Sequence, residues 1–212
     1  MNAIVQLEYD FTPVVDALAE SGMGVFPQFI AAPLIRALRH DVEKLPQHAL
    51  TPAAIGRAHQ LQTDDAIRSD KTRWLNGETP TQRYYQAIMM SLKQQLNRSL
   101  FLGLKEYECH YALYEAGDFY KTHLDAFRGR SNRRVTTVLY LNEDWQAHHG
   151  GELVIYPETR QGKIHRVLPN AGTLVCFLSD VFPHEVLPAT RDRLSVSGWF
   201  RIDDPAVPAI IL

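Results

Sequence analysis

The sequence predicts an α+β fold, a helical front half packed on one sheet of a sandwich or jelly-roll barrel. Helical periodicity and proline-started segments fill roughly the first hundred residues. Short β-rich runs fill the remainder. Glycine, asparagine, aspartate or proline punctuates nearly every gap between those runs.

Thr12-Pro13 caps the first helix, which ends near Ser21-Gly22 with proline in its first turn and glycine just past its end. "VFPQFI" follows as a short strand or extended link. Residues 32–45 place Leu34, Ile35, Leu38, Val42 and Leu45 at helical spacing. A third helix starts with Thr79 as cap and Pro80 in the first position and runs to about Leu96. The polar segment from Thr51 to Gly77 is expected to be a loop with short structure, long enough to serve as a lid or binding loop.

From Leu104 the period changes. Strands are expected over 107–114, 120–125, 135–142, 151–157, 163–169, 173–178, 184–188 and 194–200. Short strands at this spacing suit a sandwich or jelly roll. There is no internal repeat and no low-complexity segment. The 212 residues are read as a single domain (1–212), a helical front over about 1–100 and a jelly roll over about 104–201.

With 45% hydrophobic and 22% charged residues the composition is that of a globular protein. A net charge of −2 offers no basic excess for nucleic-acid phosphates. Cys109 and Cys176, the two cysteines, lie in apolar runs and are expected to be buried, reduced thiols. The N-terminus has no secretory pattern, and no apolar run approaches the ~20 residues that span a bilayer. The expectation is a soluble, cytoplasmic protein without a membrane or nucleic-acid partner.

"FYKTHLDAF" (119–127) raises the chemical question. If "YKTHLD" is a strand, His123 and Asp125 project from the same side of it. One imidazole and one carboxylate converging on a point are two of the three ligands in the facial triad of non-haem Fe(II). A further histidine must come from elsewhere. Of the nine histidines, His40, His48 and His59 read as surface residues, and His148 and His149 as solvated. His110 and His165 read as core or edge residues. His184 opens a late strand after a turn, and Arg193 begins the next. A guanidinium there can clamp a carboxylate.

The pattern His123-x-Asp125, His184, Arg193 resembles the Fe(II)- and 2-oxoglutarate-dependent dioxygenases, whose fold is a double-stranded β-helix (jelly roll). "IRSDKTRWL", "YEAGDFYKTHLD", "VLYLNEDW", "GGELVIYPE" and "FPHEVLPATRDRLSVSGWF" are similar to the prolyl-hydroxylase branch, above all the hypoxia-inducible factor prolyl hydroxylases and their bacterial relatives. The resemblance implies that His123, Asp125 and His184 hold iron. It implies that Arg193, helped by Tyr140, binds the distal carboxylate of 2-oxoglutarate, with Tyr114 lining the site. Trp199 would border the target proline. Arg68, Asp70, Trp74 and Arg133 would contact a protein substrate, Asp70 pairing with Arg133 or Arg134, and residues 68–77 would form a gripping lid. The implied activity is hydroxylation of a prolyl residue with release of succinate and carbon dioxide, using Fe(II), 2-oxoglutarate, O2 and ascorbate (vitamin C) as reductant. Elongation factor Tu is the substrate the likeness suggests.

Three other readings remain at this stage. A hydroxylase of a free amino acid or other small molecule would use the same iron site. A zinc hydrolase could use the two histidines and the aspartate. A metal-free jelly-roll binding module would keep the fold alone.

Overall fold

The computed structural model describes residues 9–53, 66–126, 131–159 and 162–203. Three α-helices and eleven strands follow in the order α1 (Thr12–Glu20), β1 (Met23–Phe26), α2 (Ala32–Glu43), β2 (Thr51–Pro52), β3 (Lys71–Trp74), α3 (Pro80–Leu100), β4 (Glu106–Tyr114), β5 (Tyr120–His123), β6 (Arg133–Tyr140), β7 (Leu153–Ile155), β8 (His165–Val167), β9 (Leu174–Leu178), β10 (His184–Val186) and β11 (Arg193–Arg201). They make a seven-stranded sheet of order β1-β9-β6-β11-β4-β3-β2 and a four-stranded sheet of order β5-β10-β7-β8. Every ladder between named strands is antiparallel.

The two core clusters follow from the alternation of side chains along the strands. On one face of the large sheet Cys109, Tyr111, Val135, Leu139, Val196 and Phe200 pack against Val14, Leu38, Met89 and Leu96 of the helices. On the other face Ala112, Val138, Tyr140, Val175 and Phe177 pack against Leu153, Ile155 and Val186 of the small sheet. The architecture is therefore three layers: helices, large sheet, small sheet. Burial on both faces is why β9 is apolar at every position. Gly198 belongs to this packing, since a Cβ there would lie 2.3 Å from the Tyr107 hydroxyl.

The caps explain two helix starts. Thr79 accepts a hydrogen bond from the Gln82 amide and Pro80 occupies the first position of α3. At α1 the expected cap, Thr12, is already helical. Asp10 accepts from the Thr12 amide at 2.9 Å instead. No helix among the described residues is long and apolar enough to cross a membrane. Both cysteines are buried free thiols, and burial pushes Cys109 up to about 12.

Two expectations about segments need correction. Part of the supposed loop between Thr51 and Gly77 is sheet: β3 pairs with β4 from Lys71 to Trp74 on one side and with β2 on the other. Its inward residues, Thr72 and Trp74, face a cleft rather than a core, so the run lacks the apolar alternation of a strand. Lys71–Trp74 within the expected lid (68–77) are thus ladder-bonded strand, and residues 54–65 of the same segment lie outside the described residues. The second correction concerns β5, which stops at His123.

Candidate functional site

A cleft of about 360 Å³ opens between the two sheets. One wall carries His123 and His184, opposite each other in the register of β5 and β10. Asp125 lies past the end of β5, so shared strand parity does not explain its meeting with His123. The chain turns after His123 and returns the carboxylate to it. His123 Nε2 stands 3.6 Å from Asp125 Oδ1, and His184 Nε2 stands 3.6 Å from Asp125 Oδ2. Candidate donor atoms of the three residues lie within 4.8 Å of one another, the one such group of three among the described residues.

Their surroundings hold them ready for a cation. His123 Nδ1 donates to the Lys121 carbonyl at 2.8 Å and His184 Nδ1 to the Phe182 carbonyl at 3.0 Å. A carbonyl can only accept, so the neutral form of each ring keeps its lone pair on Nε2. Tyr120 stacks on the His123 ring at 3.5 Å between centroids. Thr136 donates to Asp125 Oδ2 at 2.8 Å and shares a second hydrogen bond with Ser179. Burial pushes His184 down to about 4, against the pull of Asp125. Burial would raise the Asp125 carboxyl, but the His184 and His123 imidazoles reverse this and hold it well below the usual carboxylate range. A neutral imidazole at His184 and a carboxylate at Asp125 are protonation states that a metal requires.

Deeper in the cleft sits Arg193, 1% exposed. Its Nε donates to the Gly151 carbonyl at 2.9 Å. Gly151 allows that approach: its φ is +73° and a Cβ would lie 2.9 Å from that of Ala189. The guanidinium carbon lies 5.1 Å from the Tyr114 ring centre and 5.0 Å from that of Tyr140. Among the described residues no carboxylate forms an ion pair with it. The Tyr140 hydroxyl, fully buried, has no hydrogen-bond partner of standard geometry. Burial pushes it up to about 12 while the Arg193 charge pulls the other way.

Comparison with known proteins fits this geometry. The family model for the 2OG-Fe(II) oxygenase superfamily matches residues 109–201. A prolyl-4-hydroxylase of Pseudomonas putida is 44% identical, with a TM-score of 0.81 over 90% of this chain and 97% of that one. The chain belongs to the 2OG-Fe(II) oxygenase superfamily, on the branch that holds prolyl hydroxylases. A Trichoplax adhaerens prolyl hydroxylase, solved with a hypoxia-inducible factor peptide fragment, is 27% identical with a TM-score of 0.79, over 89% of this chain and 87% of that one. The hypoxia-inducible factor prolyl hydroxylase of Caenorhabditis elegans is 29% identical over 93% of this chain. This chain spans 29% of that relative's length and 46% of human Egl nine homolog 1.

The superfamily implies Fe(II), 2-oxoglutarate and O2, and the residues present fit all three. Two imidazoles and a carboxylate suit ferrous iron with open positions left over. A buried guanidinium without an anion is costly, and a buried hydroxyl without a partner is too. A dicarboxylate reaching from the metal to Arg193 and Tyr140 would satisfy both.

Of the residues assigned to the substrate, Arg68, Trp74, Arg133 and Trp199 line the cleft, whereas Asp70 is buried and does not, and the partners differ from expectation. Asp70 pairs with Arg68, not with Arg133 or Arg134, through two hydrogen bonds of 2.7 Å. The Arg68 and Asp70 side chains project together because they lie two residues apart on extended backbone. Arg133 pairs with Glu108 at 2.8 Å and covers the Trp199 ring at 3.6 Å; Arg134 pairs with Asp180. Trp74 is exposed and in edge contact with His110. Sequence reasoning missed Thr136, Ser195, Ser197 and His110. The alternation Arg193, Ser195, Ser197, Trp199 was the available signal: an inner row with two small polar residues leaves room for a cleft.

Proposed function

We propose that this chain is an Fe(II)- and 2-oxoglutarate-dependent dioxygenase that hydroxylates a prolyl residue in a protein substrate. The observation that carries it is Arg193, a buried cation without an anion, beside the orphan Tyr140 hydroxyl and in one cleft with the His-Asp-His group. Bound Fe(II) supplies the chemistry that couples decarboxylation of 2-oxoglutarate by O2 to hydroxylation of the proline ring, leaving succinate and carbon dioxide.

His123 Nε2, a carboxylate oxygen of Asp125 and His184 Nε2 hold the metal. Thr136 fixes the Asp125 carboxylate through Oδ2. Arg193 and Tyr140 bind the distal carboxylate of 2-oxoglutarate, and Tyr114 flanks the cosubstrate. Val138, Leu153 and Val186 keep water from the space between. At the mouth Trp74, Trp199 and Arg133 contact the peptide. The Arg68–Asp70 pair forms a fixed wall over Tyr120, with the Arg68 guanidinium carbon 4.3 Å from that ring centre.

The reading extends to one domain acting in the cytoplasm, with ascorbate as auxiliary reductant and elongation factor Tu as the first substrate to offer. Purified protein is loaded anaerobically with Fe(II) and 2-oxoglutarate, then exposed to air with elongation factor Tu or a cell lysate. Prolyl residues that gain the mass of one oxygen atom, in step with succinate, are expected. Succinate released only with free amino acids would contradict the protein-substrate reading.

A further inference from the structure

His110 sits on the inner face of β4, opposite Trp74 on β3 and Ser197 on β11, and lines the same cleft. It is only 6% exposed. Its Nδ1 lies 3.1 Å from the Tyr111 carbonyl, which can only accept, so Nδ1 carries the proton. The opposite ring edge therefore presents Nε2 as a lone pair, and no hydrogen bond to it exists among the described residues. The ring is held in place by Trp74 at 5.2 Å, edge-on, and by Trp199 at 5.3 Å. Burial and the nearby Arg68 and Arg133 charges push the group down to about 4, so it remains an acceptor at neutral pH.

Position rules out a role as metal ligand. Thr136, which holds Asp125, lies on β6, and β11 separates β6 from β4. With about 4.8 Å between neighbouring strands, His110 stands roughly 10 Å to the side. That side is the mouth, where the exposed Trp74 stands. Nε2 is not among the buried atoms left without a partner, so water reaches it in the free chain and a donor from a bound ligand can take that water's place. Proline in a chain has no N–H of its own, so the donor belongs to a neighbouring residue.

We propose that His110 is a substrate-recognition residue whose Nε2 accepts a hydrogen bond from a backbone N–H beside the target proline. The proposal rests on the prolyl-hydroxylase reading and adds a peptide amide to what the cleft recognises.

The test begins with a library of blocked pentapeptides with central proline, from which the sequence best oxidised by the iron-loaded chain is chosen. Dissociation constants for that peptide, and for copies N-methylated at each non-proline residue in turn, are then measured anaerobically by fluorescence anisotropy. Binding is thus read without turnover, for the native chain, His110→Gln and His110→Leu. One methylated copy should bind the native chain roughly tenfold more weakly, the usual effect of losing a hydrogen bond and stranding its partner. His110→Leu should bind the parent peptide about tenfold more weakly and lose little more on that methylation. His110→Gln, which keeps an acceptor, should recover part of the loss, and 2-oxoglutarate affinity should be unchanged throughout. Native peptide affinity in His110→Leu, full additivity of the two losses, or a parallel fall in 2-oxoglutarate affinity would overturn the assignment. If no library peptide is oxidised although 2-oxoglutarate binds, the prolyl-hydroxylase reading fails, and His110 loses its role with it.

Discussion

The two faces of the large sheet are made by the same strands and built to opposite rules. Toward the helices, β4, β6 and β11 present Cys109, Tyr111, Val135, Leu139, Val196 and Phe200. Toward the cleft they present His110, Thr136, Tyr140, Arg193, Ser195 and Trp199. Tyrosine shows the contrast most clearly. Below the helices the Tyr107 hydroxyl bonds to Tyr85 at 3.0 Å and to Thr137 at 2.9 Å. On the cleft side the hydroxyls of Tyr140 and Ser195 and the indole N–H of Trp199 have no hydrogen bond of standard geometry. Tyr111, on the helix side, also has an unpartnered hydroxyl, and nothing in the structure explains it. The helix side leaves the Tyr9 and Tyr111 hydroxyls unpartnered, whereas the three unpartnered groups of the other face lie on β6 and on β11, the strand that carries Arg193, and both strands border the cleft.

The strongest way to break this contrast is Arg193→Ala. Loss of the one buried cation facing a carboxylate costs about 3–5 kcal/mol. 2-Oxoglutarate affinity should fall at least a hundredfold by calorimetry, with Fe(II) affinity little changed. Equal cosubstrate affinity would mean that the cleft face recognises no dicarboxylate through Arg193. Thr136→Val comes next. It frees Asp125 Oδ2 without altering volume much, and metal affinity should fall tenfold or more. A metal titration with the same constant as the native chain would leave Thr136 as ordinary packing.

A pair of tyrosine variants sharpens the comparison. Tyr107→Phe breaks hydrogen bonds made within the protein and should cost about 1 kcal/mol in urea unfolding. Tyr140→Phe removes a hydroxyl whose neighbour in the protein is Arg193, without a bond of standard geometry, so stability should change little while 2-oxoglutarate binds several-fold more weakly. The reverse pattern would reject the division into a folding face and a binding face.

The smallest effect expected concerns pH. His110 falls from an ordinary 6.5 to about 4 in the folded chain, so the unfolded chain binds its proton more tightly. Its contribution to stability is complete above pH 6.5 and fades as pH falls from there toward 4. Burial is the main cause; the Tyr111 carbonyl and Asp70 oppose the shift, while the Arg68 and Arg133 charges favour it. Urea unfolding at a series of pH values should show a shallower acid slope in His110→Gln than in the native chain. His184 shifts in the same sense and remains in both proteins, so the difference isolates His110.

Much of this was legible in the sequence where side chains face a core. The helix over Ala32–Glu43 and the strands from Glu106 onward have apolar periodicity because one or both faces are packed. The His123, Asp125 and His184 trio was legible through residue type and order. What escaped lies on the cleft. β3 was hidden because its inward residues, Thr72 and Trp74, line an opening and need not be aliphatic. The end of β5 before Asp125 is hidden because an i, i+2 pair reads the same whether the strand continues or turns. The partners of Asp70 and Arg133 depend on which strands neighbour which, and neither spacing nor composition encodes that.

Anaerobic titration of Fe(II) into the native chain and into His184→Ala, each with 2-oxoglutarate present, tests the central claim most directly. The account predicts one Fe(II) per native chain and a large loss of affinity in the variant, with its unfolding midpoint in metal-free buffer nearly kept. Undiminished Fe(II) binding by His184→Ala would contradict it.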